Sequence, residues 1–409
     1  MKQPKPTKHS HVVLNQLCKL IPVGMVRKLA SEHGVDKKCR TFSAWSHVVC
    51  LLYAQLIHSI GLNDVCAALR HHSSKLFAIR GATPPSRNGL SHANKTREAD
   101  MMEALFWKML GHLQNQFPGF GPAGRYKGLP YRFKNTIYSM DSSTITLVAN
   151  CMDWAKHRRR KAAAKLHLRL NLQTFLPSFA VIEEAAHHDS SRMIALCAGL
   201  QPGEIALFDK AYVHFQHLFS LTKIGVFWVT RAKDNMCYHV CKKRKVRGNI
   251  LRDDEITLKT KKSKGHYPER MRRIVARVEV DGKIVEMVFI TNNMDWAPSS
   301  VCDLYQARWA IEVFFKQIKQ TLQICDFLGH SKQAIRWQIW SALLLYVILR
   351  FQAWRSNWPH SFTRLFTMTR SVVWDRFDLS DTLRFYGTAG DKWRMCIQPQ
   401  TAYLPGFAP

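Results

Sequence analysis

The stretch YQARWAIEVFFKQIK, residues 305–319, carries one acid among regularly spaced polar side chains. If the stretch is helical, a rotation of about 100° per residue brings Tyr305, Arg308, Glu312 and Lys319 to within about 60° of one another. A second stripe is apolar and would pack on a core. It consists of Leu304, Ile311, Phe314, Ile318 and Leu322. The pattern predicts one rigid helix, starting near Pro298, that holds a carboxylate among cationic and phenolic groups.

This polar stripe suits an anionic substrate. Arginine, tyrosine and lysine side chains bind anionic oxygens, and a carboxylate can hold a metal ion or activate a water molecule. The alternative is a solvated helix face that carries Glu312 and Lys319 without a function. The remainder of the chain favours the first interpretation.

The charge of the chain points to a polyanionic partner. Among 409 residues, 60 Lys and Arg stand against 29 Asp and Glu, which gives a net charge of +31 and an isoelectric point near 10.0. Such a chain repels itself unless it binds nucleic acid or an anionic membrane. We find no N-terminal signal and no run of about 18 apolar residues, and Ala342–Leu349, closed by Arg350, suits a buried helix. Nucleic acid is the expected partner, and no membrane is expected.

Cysteine usage indicates a reducing cytoplasm. The 11 cysteines are scattered along a chain too long to need a disulfide framework. The tightest cluster, Cys237, His239 and Cys241, lacks the second pair that a zinc finger requires. We therefore expect no structural zinc.

The first 125 residues predict an all-helical domain. Apolar spacing favours helices over Val12–Leu29 and from Phe42 to Ile57, and Asn63 can cap a further helix that runs to Leu69. These helices would pack together around their apolar faces.

A polar helix follows the turn-rich GATPPSRNG. Ser91 can cap a helix that bears Lys95 and Arg97, and an apolar helix, Met101–Leu113, comes next. Such a pair resembles a helix-turn-helix, which would make Lys95 and Arg97 DNA contacts. A capped surface helix in a basic chain is the alternative.

A change of composition after the Gly- and Pro-containing segment 118–130 marks a second region. Three strands are expected there, Ile137–Leu147, Lys165–Leu172 and Phe179–Ala185, and their short connections favour an antiparallel meander. The second alternates leucines with polar residues, so it is predicted to be half buried.

Two aspartates occupy positions where a charge needs partners. Asp141 lies in MDSSTITL on the first strand, where burial without partners is costly. Asp209 follows the apolar run Ile205–Phe208, which is typical of a central strand covered on both faces. Functional groups of open α/β sheets lie at the carboxyl ends of such strands. An ordinary turn or cap is the alternative role for Asp209.

Alternating helices and strands then lead into a β-rich insertion at about residues 233–292. Helices are expected at Ser190–Leu200 and Phe215–Lys223, with a strand at Val226–Thr230. Within the insertion, Asp281-Gly282 predicts a two-residue hairpin between β-branched runs. Its basic clusters are solvated loops or a phosphate-tracking surface.

We call residues 305–319, which carry Glu312, the acidic segment. A long apolar helix at Gln333–Trp354 is expected after it. The residues beyond it, to Pro409, are expected to be irregular.

Three acids therefore stand out in an acid-poor chain: Asp141, Asp209 and Glu312. Phosphodiester hydrolysis and transfer use two divalent cations about 4 Å apart. Carboxylates are the hard oxygen ligands that Mg²⁺ prefers, and Mn²⁺ is the alternative cation. The three acids suffice to hold two such ions, and the positive surroundings would deliver DNA.

The spacing Tyr-x2-Arg-x3-Glu-x6-Lys at Tyr305, Arg308, Glu312 and Lys319 resembles the signature of DDE transposases of the type-four group of bacterial insertion sequences. The resemblance covers most of residues 130–330. It implies an α/β fold with an RNase H-like catalytic core at 130–330, interrupted by the β-rich insertion. An all-helical N-terminal DNA-binding domain at 1–125 precedes this core, and a helical region and tail at 331–409 follow it.

The resemblance also implies residue roles. Asp141, Asp209 and Glu312 would be the catalytic metal ligands. Phosphates near the cleaved transposon end would be contacted by Tyr305, Arg308 and Lys319, and Lys316 is a further candidate DNA contact.

Some relatives in this group stack a displaced base on an aromatic residue just before the final helix. Phe289 and Trp296 are the two candidates, and core packing is the alternative role of Phe289.

The expected function is that of a transposase that binds the terminal inverted repeats of its element, cleaves there and joins 3′-hydroxyl ends to target DNA. A homodimer in the synaptic complex and a place in the bacterial cytoplasm, associated with the nucleoid, are also implied. One alternative is a DNA-binding repressor or end-binding protein whose catalytic core has decayed. The other is an RNase H-like nuclease without strand transfer.

Overall fold

The structure is a computed structural model that describes residues 7–37, 39–59, 61–120, 133–147, 162–184, 189–280, 282–324 and 327–386. These residues divide into two compact units. The first draws on Met1–Ala93, Asp100–Leu110 and Trp340–Pro409, and the second on Asn94–Ala99 and Gly111–Ile339. The functional division into domains predicted above has different boundaries and stays a prediction.

The α-helices of the described residues are, in chain order, α1 (Val13–Lys19), α2 (Met25–Glu32), α3 (Ala44–Ile57), α4 (Leu62–His71), α5 (Ser73–Phe77), α6 (Arg87–Thr96), α7 (Asp100–Gln116), α8 (Asp189–Cys197), α9 (Phe215–Lys223), α10 (Lys261–His266), α11 (Pro298–Ala307), α12 (Ala310–Lys316), α13 (Lys332–Arg355), α14 (Phe362–Ser371) and α15 (Leu379–Tyr386). The N-terminal region is helical, as expected.

Local breaks divide the N-terminal region more finely than apolar spacing suggests. The single helix expected at Val12–Leu29 is wrong, because Pro22 and Gly24 separate α1 from α2. Gly24 has a φ of +83°, which glycine adopts without strain. The next expected helix is confirmed as α3, where the Ser43 hydroxyl accepts a hydrogen bond from the Ser46 N–H at 3.1 Å.

Two predicted helix caps are wrong. Asn63 lies inside α4, whose N-cap is Gly61. Ser91 lies inside α6, and the Ser86 hydroxyl accepts from the Gly89 N–H at 3.0 Å near the start of that helix. A residue type that favours capping acts as a cap only where its own backbone is extended rather than helical.

The residues after α13 fold with the N-terminal helices in the first unit. The His9 N–H donates to the Arg376 carbonyl at 2.9 Å, and the Leu14 N–H donates to the Val373 carbonyl at 3.0 Å. Helices α14 and α15 belong to this unit, as does α13 from Trp340 onward. The expectation of irregular structure beyond α13 is therefore wrong as far as residue 386.

The second unit contains one nine-stranded sheet. Its strands are β1 (Ile137–Leu147), β2 (Ala162–Asn171), β3 (Leu176–Glu184), β4 (Ile205–Phe208), β5 (Phe227–Arg231), β6 (Tyr238–Lys243), β7 (Ile250–Leu258), β8 (Met271–Val280) and β9 (Lys283–Thr291). Their order in the sheet is β3-β2-β1-β4-β5-β9-β8-β7-β6. The fold is therefore mixed α/β with one large sheet.

Strand directions divide the sheet into two parts. β1, β2 and β3 form the predicted antiparallel meander, while β1, β4 and β5 run parallel to one another. β9 returns antiparallel to β5, and β8, β7 and β6 continue outward from it. The predicted insertion therefore extends the same sheet.

Two polar side chains of β2, His167 and Arg169, are buried, so the expectation of a half-buried strand is wrong at these positions. His167 lies 2.9 Å from Glu183, and its side chain is fully buried. Arg169 donates to the carbonyls of Leu196 and Ala198 at 3.0 and 2.7 Å. Residues of α8 and the turn after it cover the face that alternation alone assigns to solvent.

The β8–β9 hairpin is confirmed. Val280 pairs with Lys283 across a two-residue connection, and Gly282 has a φ of +74°. The other residue of this connection, Asp281, lies outside the described residues.

Within the described residues, α13 has the length and apolar composition of a membrane span, and 89% of its apolar window is buried inside the protein. Core helices with this composition are common, and the burial agrees with the prediction of a buried helix at this place. Helices α3 and α4 would make a second span only if their 106° bend belonged to one broken span.

Candidate active site

Two of the three predicted acids follow neighbouring parallel strands. β1 and β4 pair as far as Met140 opposite Phe208, and the next residues are Asp141 and Asp209. β4 is entirely buried, so its end is fixed by packing on both faces. The topology therefore places the two carboxylates side by side where the parallel pairing ends.

The third acid lies on a segment that is not one continuous α-helix. Between α11 and α12, the N–H groups of Ile311 and Glu312 donate to Arg308 and Trp309, three residues back, at 3.1 and 3.0 Å. This is the tighter 3₁₀ pattern. After α12, Gln317–Thr321 forms a π-helical turn. The single rigid helix expected from the sequence is therefore wrong in detail.

The predicted apolar stripe of this segment is confirmed. All five of its members are at most 1% exposed. They are Leu304, Ile311, Phe314, Ile318 and Leu322. These buried side chains fix the orientation of the segment. The polar side chains of Tyr305, Arg308 and Glu312 therefore lie on one side of it, toward Asp141 and Asp209.

Arg308 connects two of the acids. Its Nη1 donates to Oδ2 of Asp141 at 3.3 Å, and its Nη2 donates to Oε1 of Glu312 at 2.9 Å. The Arg308 side chain is 7% exposed, against 21% for Asp141 and 55% for Glu312. A buried guanidinium thus holds together carboxylates that lie 171 residues apart in the sequence, 312 minus 141.

Tyr305 completes the link to the remaining acid. Its hydroxyl donates to Oδ1 of Asp209 at 3.2 Å, and the Arg308 guanidinium lies 5.4 Å from the centre of its ring. The structure therefore brings Asp141, Asp209 and Glu312 around one arginine and one tyrosine, although their catalytic roles stay predictions.

Sequence reasoning missed Ser139. Its hydroxyl is fully buried and donates to the backbone carbonyl of Arg308 at 3.1 Å, which fastens the tight turn to β1. Ser139 lies two residues before Asp141, on the same face of the strand. A serine two residues before the candidate aspartate, on the same face of a predicted strand, is the sequence signal that could have identified it.

Burial dominates the electrostatics of the site. It raises the pKa of Asp141 to about 6, with the Asp209 and Glu312 charges adding to the rise and the Ser142 N–H and Arg308 opposing it. Burial also raises the pKa of Tyr305 to about 12. For Arg308, burial works against the charged form, but Tyr305 and the acids raise its pKa overall. The cluster is short of positive charge for the carboxylates that it contains.

The two lysines of the segment differ in placement. Lys319, in the π-helical turn, donates to the Thr144 carbonyl of β1, and burial lowers its pKa. Lys316, at the end of α12, is exposed. Contact of either residue with DNA stays a prediction.

The other predicted contacts lie on different elements. Lys95 is exposed near the end of α6, and Arg97 follows that helix. Phe289 is buried with its ring centre 5.1 Å from that of Tyr305. The Trp296 ring packs 5.2 Å from Phe227. Both aromatic rings are used in packing, and a base-stacking role for either is untested.

The donor chemistry of the three acids fits divalent cations, because carboxylates are the ligands that Mg²⁺ prefers. Among the described residues, however, no three Asp, Glu, His or Cys side chains are spaced to hold a metal ion. Arg308 donates to two of the acids in this arrangement. It thereby occupies one carboxylate oxygen of Asp141 and one of Glu312.

Comparison with known proteins gives matches over both parts of the chain. A family model described as "Transposase DDE domain" matches residues 132–348, a range that includes the three acids. A second model, described as a domain of unknown function (DUF4372), matches residues 9–79 of the helical N-terminal region.

Individual relatives carry related names. The "Putative transposase y4zB" of Sinorhizobium fredii is 26% identical over 301 residues, which cover 72% of this chain and 80% of that protein. The transposase for insertion sequence element IS231E of Bacillus thuringiensis subsp. finitimus is 21% identical over 393 residues, covering 78% and 75%. Among solved structures, a synaptic complex of piggyBac transposase with hairpin DNA aligns with a TM-score of 0.45 at 8% identity, covering 90% of this chain and 83% of that one.

Proposed function

The chain belongs to the transposase DDE-domain family, among the transposases of the type-four group of insertion sequences, and from this premise we propose how it acts on DNA. It binds the terminal inverted repeats of its element, cleaves the phosphodiester backbone at the ends and joins the resulting 3′-hydroxyl groups to target DNA. Two copies act together in the synaptic complex, in the bacterial cytoplasm at the nucleoid.

The bridge from Arg308 to Asp141 and Glu312 carries this proposal. The carboxylates of Asp141 and Glu312 meet at one buried arginine, and Tyr305, next to that arginine, binds the third acid, Asp209. Asp141 is largely buried beside other acids and a single guanidinium, which costs free energy, and this cost favours a functional role over a purely structural one.

Asp141, Asp209 and Glu312 would hold two divalent cations, Mg²⁺ or Mn²⁺, which when bound would activate the attacking oxygen and stabilise the leaving oxygen. Arg308 would exchange its carboxylate partners for phosphate oxygens when DNA enters, because a guanidinium binds either group through paired hydrogen bonds. That exchange would free the acids at the moment when substrate is present. Tyr305, Lys316 and Lys319 would hold the neighbouring phosphates.

The strand order supports the proposal of an RNase H-like core at residues 130–330. Parallel β1, β4 and β5 lie beside the antiparallel pair β2 and β3, and β6 to β9 constitute the insertion. The helical region at 1–125 would contact the DNA ends, with Lys95 and Arg97 as candidate contacts.

The test is cleavage of a labelled duplex that carries the inverted repeat bordering this coding sequence, with Mg²⁺ or Mn²⁺ present. We expect native protein to cut at the repeat end and to yield joined products with a target duplex. The Glu312→Gln variant, which keeps the side-chain size and removes the charge, should bind this duplex with unchanged affinity and cut at least about 100-fold more slowly.

The Glu286→Gln variant is the matched control, because Glu286 is an exposed acid on β9. It should cut like native protein. Equal binding of the repeat by native and Glu312→Gln protein with no cutting by either would favour the end-binding alternative. Cutting without joined products would favour a nuclease.

A further inference from the structure

The insertion contains a buried arginine with a paired aspartate. Arg272 on β8 is 2% exposed, and Asp253 on β7 is 3% exposed. The Arg272 Nε donates to Oδ1 of Asp253 at 2.7 Å, and its Nη2 donates to Oδ2 at 2.6 Å. This two-point pairing fixes the plane of the guanidinium and leaves its Nη1 free to point elsewhere.

That remaining nitrogen binds the loop that leads to the acidic segment. Arg272 Nη1 donates to the backbone carbonyl of Trp296 and, at 3.5 Å, to that of Met294. Arg244 also donates to the Met294 carbonyl, and Glu255 holds the other side of its guanidinium at 2.9 and 3.2 Å. Two arginines of the insertion therefore converge on the loop 292–297.

The rest of this loop is fixed by its own asparagines. Oδ1 of Asn293 accepts from the N–H groups of Asp295 and Trp296 at 2.9 and 2.8 Å. Asn292 donates to the Val226 carbonyl at 2.9 Å. The asparagines thus bind the N–H groups of the loop and its connection to β5, and the arginines bind its carbonyls.

Helix α11 begins directly after this loop, with Pro298 in its first turn. The helix carries Tyr305, and the tight turn after it carries Arg308 and Glu312. A short helix is stiff, so a shift of its start is passed on to these side chains.

We propose that Arg272, held in orientation by Asp253, is a positioning residue that sets where α11 begins and thereby where Tyr305, Arg308 and Glu312 lie. This inference rests on the proposed function. A buried ion pair is a poor source of stability, since apolar residues of similar volume usually serve as well. Arg272 also donates to the loop carbonyls of Met294 and Trp296, which apolar residues could not do.

The experiment replaces the pair by apolar residues in the full-length double variant Arg272→Met, Asp253→Leu. The matched control is Arg273→Met, Asp254→Leu. Arg273 and Asp254 are adjacent on the same strands and lie 3.6 Å apart, but Arg273 stacks over the Tyr238 ring, 4.8 Å away. Both variants remove one positive and one negative charge.

For each variant we would measure thermal unfolding, affinity for the terminal-repeat duplex, single-turnover cleavage at saturating duplex, and amide hydrogen exchange at residues 294–301. In the Arg272 variant we expect cleavage to fall about tenfold or more at unchanged affinity and unfolding temperature, since small misplacements of catalytic groups are costly. Exchange at 294–301 should become about tenfold faster. The control should change each quantity by less than about threefold.

Equal hydrogen exchange and equal cleavage rates in the two double variants would overturn the proposal. A loss of cleavage that is fully accounted for by a smaller fraction of folded protein would also overturn it. If the Arg272 variant does not fold, Arg272→Lys provides the second test, because a lysine retains the charge but cannot reach Asp253 and the loop together. It should show the same faster exchange and slower cleavage. If native protein does not cut the duplex, the proposed function fails, and unchanged exchange at 294–301 would still overturn the positioning role.

Discussion

At the scale of single residues, the site contains more acidic side chains than positively charged side chains that bind them. Arg308 donates to Asp141 and Glu312, while Asp209 accepts from the Tyr305 hydroxyl. Burial, with the neighbouring acids, raises the pKa of Asp141 to about 6, so the ionised form of this side chain is disfavoured in the fold.

The raised pKa of Asp141 predicts a pH-dependent cost. The folded value is about 6 against an ordinary 3.8, so protonation stabilises the fold fully below pH 3.8 and this stabilisation is lost as the pH rises through 6. The variant Asp141→Asn has no ionisable group at this position. With a metal chelator present, the unfolding free energy of this variant minus that of native protein should therefore rise by about 2 kcal/mol from pH 4 to pH 7. Urea unfolding at the two pH values measures this gain.

The control for this measurement is Asp234→Asn, because the Asp234 side chain is 90% exposed. Its stability relative to native protein should stay nearly constant over the same range. An equally flat result for Asp141→Asn would contradict the burial effect.

At the scale of elements, the departures from a regular helix determine how the acidic segment presents its side chains. A 3₁₀ turn at 308–312 and a π turn at Gln317–Thr321 change the angular spacing that an ideal α-helix would give. The apolar stripe stays buried through both. Ser139 of β1 binds the backbone within the first of these turns.

The Ser139 hydrogen bond predicts a separation of stability from activity. Ser139→Ala should cost about 1 kcal/mol of unfolding free energy, because one buried hydrogen bond is lost. Cleavage should fall about tenfold, because the turn that holds Arg308 loses its attachment to the strand of Asp141.

The matched control for Ser139→Ala is Thr369→Val in α14. It removes a fully buried hydroxyl that donates to the Leu365 carbonyl at 2.9 Å. It should cost similar stability and leave cleavage unchanged. Equal activities of the two folded variants would count against an active-site role for Ser139.

At the scale of the whole molecule, the two main features are the high net positive charge and the single sheet of the second unit. The chain carries a net charge of +31. A single sheet extends from the meander β3-β2-β1 through β4 and β5 to the four strands of the insertion. The insertion thereby joins the sheet on the side of β5, and its last strand leads into the acidic segment.

The net charge predicts a steep salt dependence of DNA binding. A protein that neutralises six or more phosphates loses about 10³-fold in affinity when NaCl rises from about 50 mM to about 200 mM. We expect such a loss for a terminal-repeat duplex and for an unrelated duplex of equal length, followed by fluorescence anisotropy. Salt-independent binding would contradict a dominant phosphate contribution.

Local pattern alone determined much of the fold. The limits of β1, β4 and α9 follow from runs of β-branched, apolar or 3.6-periodic residues, and the β8–β9 hairpin follows from its Asp-Gly pair. The three acids were identified from their positions on or after such elements. The family was expected from a resemblance at Tyr305, Arg308, Glu312 and Lys319, and the family model over residues 132–348 confirms it.

Tertiary structure alone decided what covers each element and what each polar group binds. Arg169 is buried because carbonyls at and after the end of α8 accept its hydrogen bonds. Arg308 is held by Asp141, on a strand 167 residues earlier in the chain. The regular structure after α13 is stabilised by hydrogen bonds with the N-terminal region. Periodicity reports which face of an element is apolar, but a buried polar side chain is placed by partners that are distant in sequence. The sequence therefore identified the acids together with Tyr305 and Arg308, and only the folded chain showed which acid each of these two residues binds.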